Sequence, residues 1–365
     1  MKKTVRKSQR KSRRGGRSKN GGKILLNAVL AAVVAAAVFF VARYVADNRM
    51  ENFSEKYVLY VYPDMTPEAI TDSLCSGAGA LREGSVMRSA ARENLSERAR
   101  PGRYVIEPSY TAVYAIRMIC NGWQSPQNLT LAGTIRSKGK LAAVIDRQMM
   151  VDSAQVAEAL DDADFLGQYG FTPENVFALF LPDTYEMYWT ASVKDIFDRF
   201  KKEYDAFWTE DRVAKARRQG LSKMETSIMA SIVSGETLQK SEYPVIAGVY
   251  LNRLHKGMKL QADPTIAFCY DYTLDRIYRK HLKVDSPYNT YKYAGLPPAP
   301  INVPPKACID AVLNPDTHGY IYFCASPAFD GTHRFAVTYG EHLKNAREFQ
   351  RALTARQRER AMAAS

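Results

Sequence analysis

Glu236 is the residue in this chain best placed to do acid–base chemistry. Ile228, Met229, Ile232 and Val233 recur at helical spacing, and Glu236 is the next position on that stripe. A carboxylate that continues an apolar face points toward the interior or a cleft, where loss of water disfavours its charged form and raises its pKa. Such a carboxyl still holds a proton near neutral pH, which a general acid requires. Gly235, just before it, leaves room for close approach. The same position also suits a plainer role, a glutamate near a helix end that faces solvent. The helix that carries it opens at a capping box, Ser222 with Glu225 three residues on.

The elements after this helix decide what Glu236 meets. Ser241, followed by an acid and by Pro244, starts a helix that turns Val245, Ile246, Val249, Tyr250 and Leu254 inward and ends at Gly257. Met258 and Leu260 then alternate as a short strand into an Asp263-Pro264 turn. From Asp285 to Pro305 the chain is dense in Tyr, Asn, Gly and Pro. Long ordered loops are commonly functional, and Tyr with Asn offers apolar ring faces beside hydrogen-bonding groups, which suits a sugar better than a lipid. A rigid structural cross-over is the other reading of that loop.

The net charge of +13 is concentrated in the first 23 residues, which hold eleven Lys or Arg and no acid. The remainder is close to neutral, so a basic surface for nucleic acid is not expected on the folded part. Ile24 to Ala42 follow without a single charge, nineteen residues against the roughly 20 that a membrane-spanning helix needs. Arg43 closes the stretch. A cleaved signal peptide would have a shorter apolar core, and a buried soluble helix would lack the flanking charge. The pattern predicts an uncleaved anchor with a cytoplasmic N-terminus, which sends residues from about 45 onward across the membrane.

Cys75, Cys120, Cys269, Cys308 and Cys324 form no CxxC or other metal spacing and sit among apolar neighbours, as small buried hydrophobes do. The five histidines are scattered, and neither GxGxxG nor GxxxxGK[ST] is present. Neither a metal nor a cofactor is expected.

In chain order, a linker helix over Asp47 to Lys56 precedes a strand from Tyr57 to Tyr62 and a helix capped by Thr66 with Pro67 at its first position. Helices over Ser85 to Asn94 and Thr111 to Cys120, with a strand from Arg103 to Ile106 between them, complete a small α+β module. Beyond it come a strand over Asn128 to Ile135, helices over Lys138 to Met149 and Ser153 to Leu160, and a break at Pro182. The stretch from Cys308 to Val312 reads as a helix, Tyr320 to Ala325 and His333 to Val337 as a hairpin, and Glu341 to Arg360 as a terminal helix.

Five separate stretches, in order, carry a family resemblance: LPDTYE (Leu181 to Glu186), ASIVSGET (Ala230 to Thr237), AGVYLNRLHKGMKLQADPTI (Ala247 to Ile266), SPYNTYKYAGLPPAPI (Ser286 to Ile301) and YIYF (Tyr320 to Phe323). Over about residues 55 to 352 the chain resembles the MltG/YceG-like endolytic murein transglycosylases. The resemblance implies an α+β protein made of a basic cytoplasmic tail (1–23), a transmembrane helix (24–43), a linker (44–56), a LysM-like module (57–125), a catalytic domain (126–352) and a C-terminal tail (353–365). It implies cleavage of nascent peptidoglycan strands at the inner membrane, ending their elongation, with peptidoglycan synthases as candidate partners. The family pattern reads ASIVEKET, with the catalytic glutamate at its second acid. Ser234 stands here at the first, which leaves Glu236 as the candidate. Phe177 and Ala178 stand where the family pattern has Glu and Gly, so that acid has no counterpart.

In the reaction the resemblance implies, Glu236 protonates the glycosidic oxygen between N-acetylmuramic acid and N-acetylglucosamine. It then takes the proton of the muramyl C6 hydroxyl as that oxygen closes on C1. Gln261, Asp263, Thr265, Tyr288, Asn289, Thr290 and Tyr291 are the candidates for binding the glycan. Three rivals differ in chemistry. A hydrolytic muramidase would use Asp263 as a second carboxylate. A tethered peptidoglycan-binding scaffold would not turn over, and an aminodeoxychorismate lyase would need pyridoxal phosphate, a Schiff-base lysine and a cytosolic site.

Overall fold

The computed structural model describes residues 19–363, so most of the expected basic tail lies outside the described residues. The chain divides into two compact units, with the change between Ser125 and Pro126.

The first unit opens with α1 (Lys19–Arg49), a single helix long and apolar enough to cross a membrane. Its large apolar side chains between Ile24 and Val41 are all exposed, which is how a helix meant for an apolar surround looks when no protein covers it. β1 (Tyr57–Val61) leads to three helices, α2 (Pro67–Gly77), α3 (Glu83–Arg92) and the one-turn α4 (Leu95–Arg98), and then to β2 (Gly102–Ile106) and α5 (Ala112–Asn121). The two strands pair antiparallel, with Leu59 opposite Tyr104. Thr66 and Thr111 accept the backbone N–H of Ala69 and Tyr114 as N-caps, and Gly122, at φ 68°, ends α5. Leu59, Ile70, Leu74, Val86, Tyr104, Ile106 and Ile116 form the core.

The expected linker helix is absent. Helix α1 ends at Arg49, and residues that follow it are tied into the module: Phe53 is buried in the core and bridges Ala80, while Asp47 on α1 pairs with Arg88 at 2.6 Å. Burying Phe53 outweighs any local preference for continuing the helix.

The second unit begins with β3 (Gln127–Thr130), α6 (Lys138–Asp146), α7 (Ser153–Asp161), α8 (Ala163–Gly167) and β4 (Thr184–Met187). β3 and β4 pair antiparallel with Leu129 opposite Tyr185, so the TYE of LPDTYE is a strand as well as a break. The first of these strands is shorter than expected because Gly133 turns the chain at φ 74°. The amphipathic α9 (Val193–Phe207) inserts Phe197 and Phe200 edge-on against Phe180 and Tyr185, and α10 (Glu210–Arg218) follows it.

Four helices then build the centre of the unit: α11 (Lys223–Glu236), α12 (Tyr243–His255), α13 (Asp263–Cys269) and α14 (Lys306–Leu313). α11 packs against the other three, with Met229, Ile232, Ile246, Tyr250 and Val312 in the shared core. Two expectations fail here. Met258 to Leu260 form no strand, and Asp263-Pro264 is not a free turn but the first turn of α13, where proline's fixed φ and missing N–H cost nothing. A hairpin of β5 (Tyr322–Ala325) and β6 (His333–Ala336) is covered by α15 (Tyr339–Ala363). That helix covers the stretch expected to be helical, Glu341 to Arg360, and runs on to Ala363 through good helix formers with no Gly or Pro. All five cysteines are free, with Cys120 and Cys308 fully buried.

Candidate active site

α11 delivers Glu236 from its last position. The capping box is present in both directions, Glu225 N to Ser222 Oγ at 3.1 Å and Ser222 N to Glu225 Oε2 at 2.8 Å, and Thr226 to Val233 are buried. The other end is fixed by a strap from the loop before α14. Ile301 N donates to Ser231 Oγ (3.1 Å), Asn302 Nδ2 donates to the Ser231 carbonyl (2.8 Å), and Ser234 Oγ donates to Asn302 Oδ1 (3.0 Å). Gly235 faces α13: a Cβ there would lie 2.6 Å from the Cβ of Pro264, so the two helices meet only because position 235 is glycine. The helix then stops, with Thr237 extended at φ −144°.

One oxygen of the Glu236 carboxyl, Oε1, accepts a hydrogen bond from the hydroxyl of Tyr250 on α12. No hydrogen bond reaches Oε2 among the described residues. Burial pushes the carboxyl's pKa up; the Tyr250 hydrogen bond opposes this, the negative charge of Asp263 adds to it and Arg253 opposes it, for a net rise to about 7. Glu236 therefore holds its proton near neutrality and has one oxygen free to give it away. Arg253 is itself buried and committed to carbonyls, Nε to Ile321 at 2.6 Å and Nη1 to Leu260 at 2.5 Å.

Glu236 opens on a cleft of about 250 Å³ shared with Asp263, Pro264 and Ala267 of α13, with Arg136, and with Tyr272, Leu274, Ile277 and Asn302. Of the seven candidate glycan-binding residues, Asp263 lines this cleft. Its Oδ1 accepts from the Tyr291 hydroxyl at 2.6 Å, so Tyr291 stands behind it. Thr265, Asn289 and Thr290 are buried and their polar atoms face inward. Thr290 Oγ1 accepts from Ala262 N (3.0 Å) and meets Thr265 Oγ1 at 2.8 Å, while Asn289 donates to the carbonyls of Leu282 and Val284 and accepts from Tyr291 N. Thr290 and Thr265 fix the loop onto the start of α13, and Asn289 holds the loop to itself. Tyr288 packs on Phe268, ring centroids 4.5 Å apart, and the exposed Gln261 takes φ 51° to turn the chain into α13.

Sequence reasoning misses several contributors. Tyr250 was legible as an inward-facing position but not as a donor to Glu236. Asn302 lies in the Pro-rich loop without a periodic signal. Tyr272 and Ile277 come from a stretch to which no element was assigned, and Arg136 comes from the segment before α6, directly after the buried Ile135.

Known proteins resemble this arrangement. The sequence profile of the YceG-like family matches residues 59–348. An endolytic murein transglycosylase of Bacillus subtilis (strain 168) is 32% identical over 220 residues, covering 56% of this chain and 60% of that protein. One from Streptococcus pneumoniae serotype 2 is 26% identical over 172 residues, covering 46% of this chain and 31% of that protein. The chain thus spans less than two thirds of the length of either relative. The crystal structure of a yceG-like protein from Listeria monocytogenes superposes with a TM-score of 0.50 at 26% identity, over 80% of this chain and 99% of that one. A profile match that takes in both the first unit and the four-helix centre around Glu236 leaves a single assignment: the chain belongs to the YceG-like family.

Proposed function

We propose that this protein is a membrane-anchored endolytic murein transglycosylase with Glu236 as its catalytic acid and base. The observation that carries the reading is the Glu236 carboxyl itself, raised to about 7, held through Oε1 by Tyr250 and placed in an open cleft. The similarity to two murein transglycosylases supports the substrate class.

In this mechanism Glu236 Oε2 carries the proton to the glycosidic oxygen as the bond to C1 breaks. The resulting carboxylate then accepts the proton of the muramyl C6 hydroxyl while O6 bonds to C1, giving a 1,6-anhydro ring and restoring the acid. One carboxyl serves both steps, and its pKa near 7 lets it exchange a proton in each direction. Asp263, negative and beside the cleft, stabilises positive charge developing at C1. Tyr291 holds that carboxylate in place.

The eleven basic residues before Ile24 support a cytoplasmic N-terminus, with the chain from about residue 45 onward outside and within reach of nascent strands and of the synthases that extend them. A reporter joined after Ser365 should be active only outside the cytoplasm. The antiparallel pairing of β1 with β2 across three short helices supports a LysM-like, glycan-holding role for the module of residues 57–125.

The deciding experiment uses uncrosslinked nascent glycan. The purified protein should release internal fragments one water lighter than hydrolysis products. Reducing-end muramic acid would mean a hydrolase with Asp263 as its second carboxylate, and folded protein that binds strands without cutting them would mean a scaffold.

A further inference from the structure

The cleft that holds Glu236 and Asp263 is also lined by one exposed cation that the acid–base chemistry does not use. Arg136 lines the same cleft as Glu236 and Asp263. Its guanidinium lies 4.8 Å from the centre of the Tyr272 ring, and among the described residues it meets neither a carboxylate nor a hydrogen-bond acceptor. The place is built, not incidental. Ile135 is fully buried, and its carbonyl accepts from Val303 N at 2.9 Å, next to the Asn302 strap. On the other side Ser137 caps α6 through Lys140 N at 3.1 Å. Tyr272 is equally fixed, since its hydroxyl donates to the Ile301 carbonyl at 2.6 Å. Asp271 and Tyr272 both take left-handed backbone conformations, φ 51° and 56°, which non-glycine residues adopt rarely and which cluster where a site demands them.

A neutral sugar gives a fixed, unpaired guanidinium nothing to neutralise. A carboxylate does, and it accepts two parallel N–H donors from the guanidinium edge while the face stays stacked on an aromatic ring. We propose that Arg136, supported by Tyr272, is an anion subsite that takes a carboxylate carried by the saccharide at the cleaved linkage. This rests on the transglycosylase reading. Muramic acid bears a lactyl ether carboxyl, either free or in amide linkage to a peptide whose own carboxylates remain, so the shared ligand chemistry is a carboxylate on the substituent side of that sugar.

The test compares wild type, R136M and R136K on three uncrosslinked strand preparations: peptide-bearing, peptide-stripped with free lactyl carboxylates, and stripped with those carboxylates converted to primary amides. R136M, which keeps an apolar stem on Tyr272, should raise KM about 10- to 100-fold on carboxylate-bearing strands with kcat within about twofold. R136K should recover part of the loss as a point charge. On amidated strands wild type should fall to the level of R136M. A penalty that survives peptide stripping assigns the lactyl carboxylate, and one that vanishes on stripping assigns the peptide. Equal KM for wild type and R136M on every strand, or the same R136M penalty on charged and amidated strands, overturns the subsite. If wild type cuts none of the three, the activity reading is what fails. Calorimetric binding of the same strands to E236Q and to E236Q/R136M then decides the subsite separately, with unchanged affinity for carboxylate-bearing strands overturning it.

Discussion

Two glutamates six residues apart, one ending α11 and the other opening α12, show what separates a chemical carboxyl from a structural one. Glu242 is buried and saturated: its Oε1 accepts from the His333 backbone N at 2.7 Å, and its Oε2 meets His333 Nδ1 at 2.8 Å and the Thr237 hydroxyl at 3.2 Å. The two His333 bonds tie the short connection after α11 to the β5–β6 hairpin, and the Thr237 bond closes that connection on itself. Glu236 has a single donor, a phenol that carries no charge at neutral pH, and its second oxygen is left to the cleft. With a like charge at Asp263 nearby and little water, its ionised form is disfavoured. A carboxyl with both oxygens engaged locks the backbone, whereas one held at a single oxygen can exchange a proton.

That comparison predicts opposite consequences for the same substitution. E236Q should lower turnover about 10²- to 10⁴-fold, because Gln keeps the shape and the Tyr250 bond but carries no exchangeable carboxyl proton. Its effect on stability should run the other way. The folded pKa of Glu236 lies above its ordinary value, so its contribution to stability is intact at low pH and is lost as pH rises from the ordinary carboxylate range through about 7. E236Q has no such loss and should be more stable than wild type by roughly 1–3 kcal/mol at pH 8, with the advantage shrinking below pH 5. E242Q should keep turnover within about threefold and lose about 1–3 kcal/mol, a drop of several degrees in Tm. Thermal melts at the two pH values, beside single-turnover rates, check both. If E242Q were the inactive and E236Q the active variant, the assignment of roles would be reversed.

Much of this was legible along the chain because the signals are local. The capping box at Ser222, the stripe that ends at Glu236, the cap at Thr66 and the two strands of the C-terminal hairpin each act within a few residues. Asp263-Pro264 shows where locality runs out, since the same dipeptide suits a turn or the first turn of a helix, and only packing of Pro264 against Gly235 selects the helix. The Tyr and Asn content of the 285–305 loop drew attention to polar groups that largely satisfy the loop's own backbone. The residues that share the cleft with Glu236, by contrast, come from segments more than a hundred residues apart in the case of Arg136 and Asp263, and no periodicity connects them. Left-handed Tyr272 had no signal, because a bulky residue at positive φ is imposed by tertiary contacts and not by its own preference.

The smallest expected effects bear on what sets the Glu236 pKa, and their signs matter more than their size. The acid form must be present for the first step, so kcat/KM should fall on the alkaline side with a midpoint near 7 in wild type. Tyr250 donates to the carboxyl and favours its ionised form, so Y250F should move that midpoint to higher pH, by about one pH unit. Asp263 disfavours the ionised form, so D263N should move it to lower pH, by less, because its charge weighs less than the Tyr250 hydrogen bond. Plateau rates should fall in both variants, about tenfold, as the carboxyl loses its orientation or the developing cation its counter-charge. Shifts in the same direction would show that the alkaline limb reports a different group. Loss of turnover in D263N as deep as in E236Q would place two indispensable carboxylates in the cleft, and the products would then be expected to carry reducing ends instead of anhydro rings.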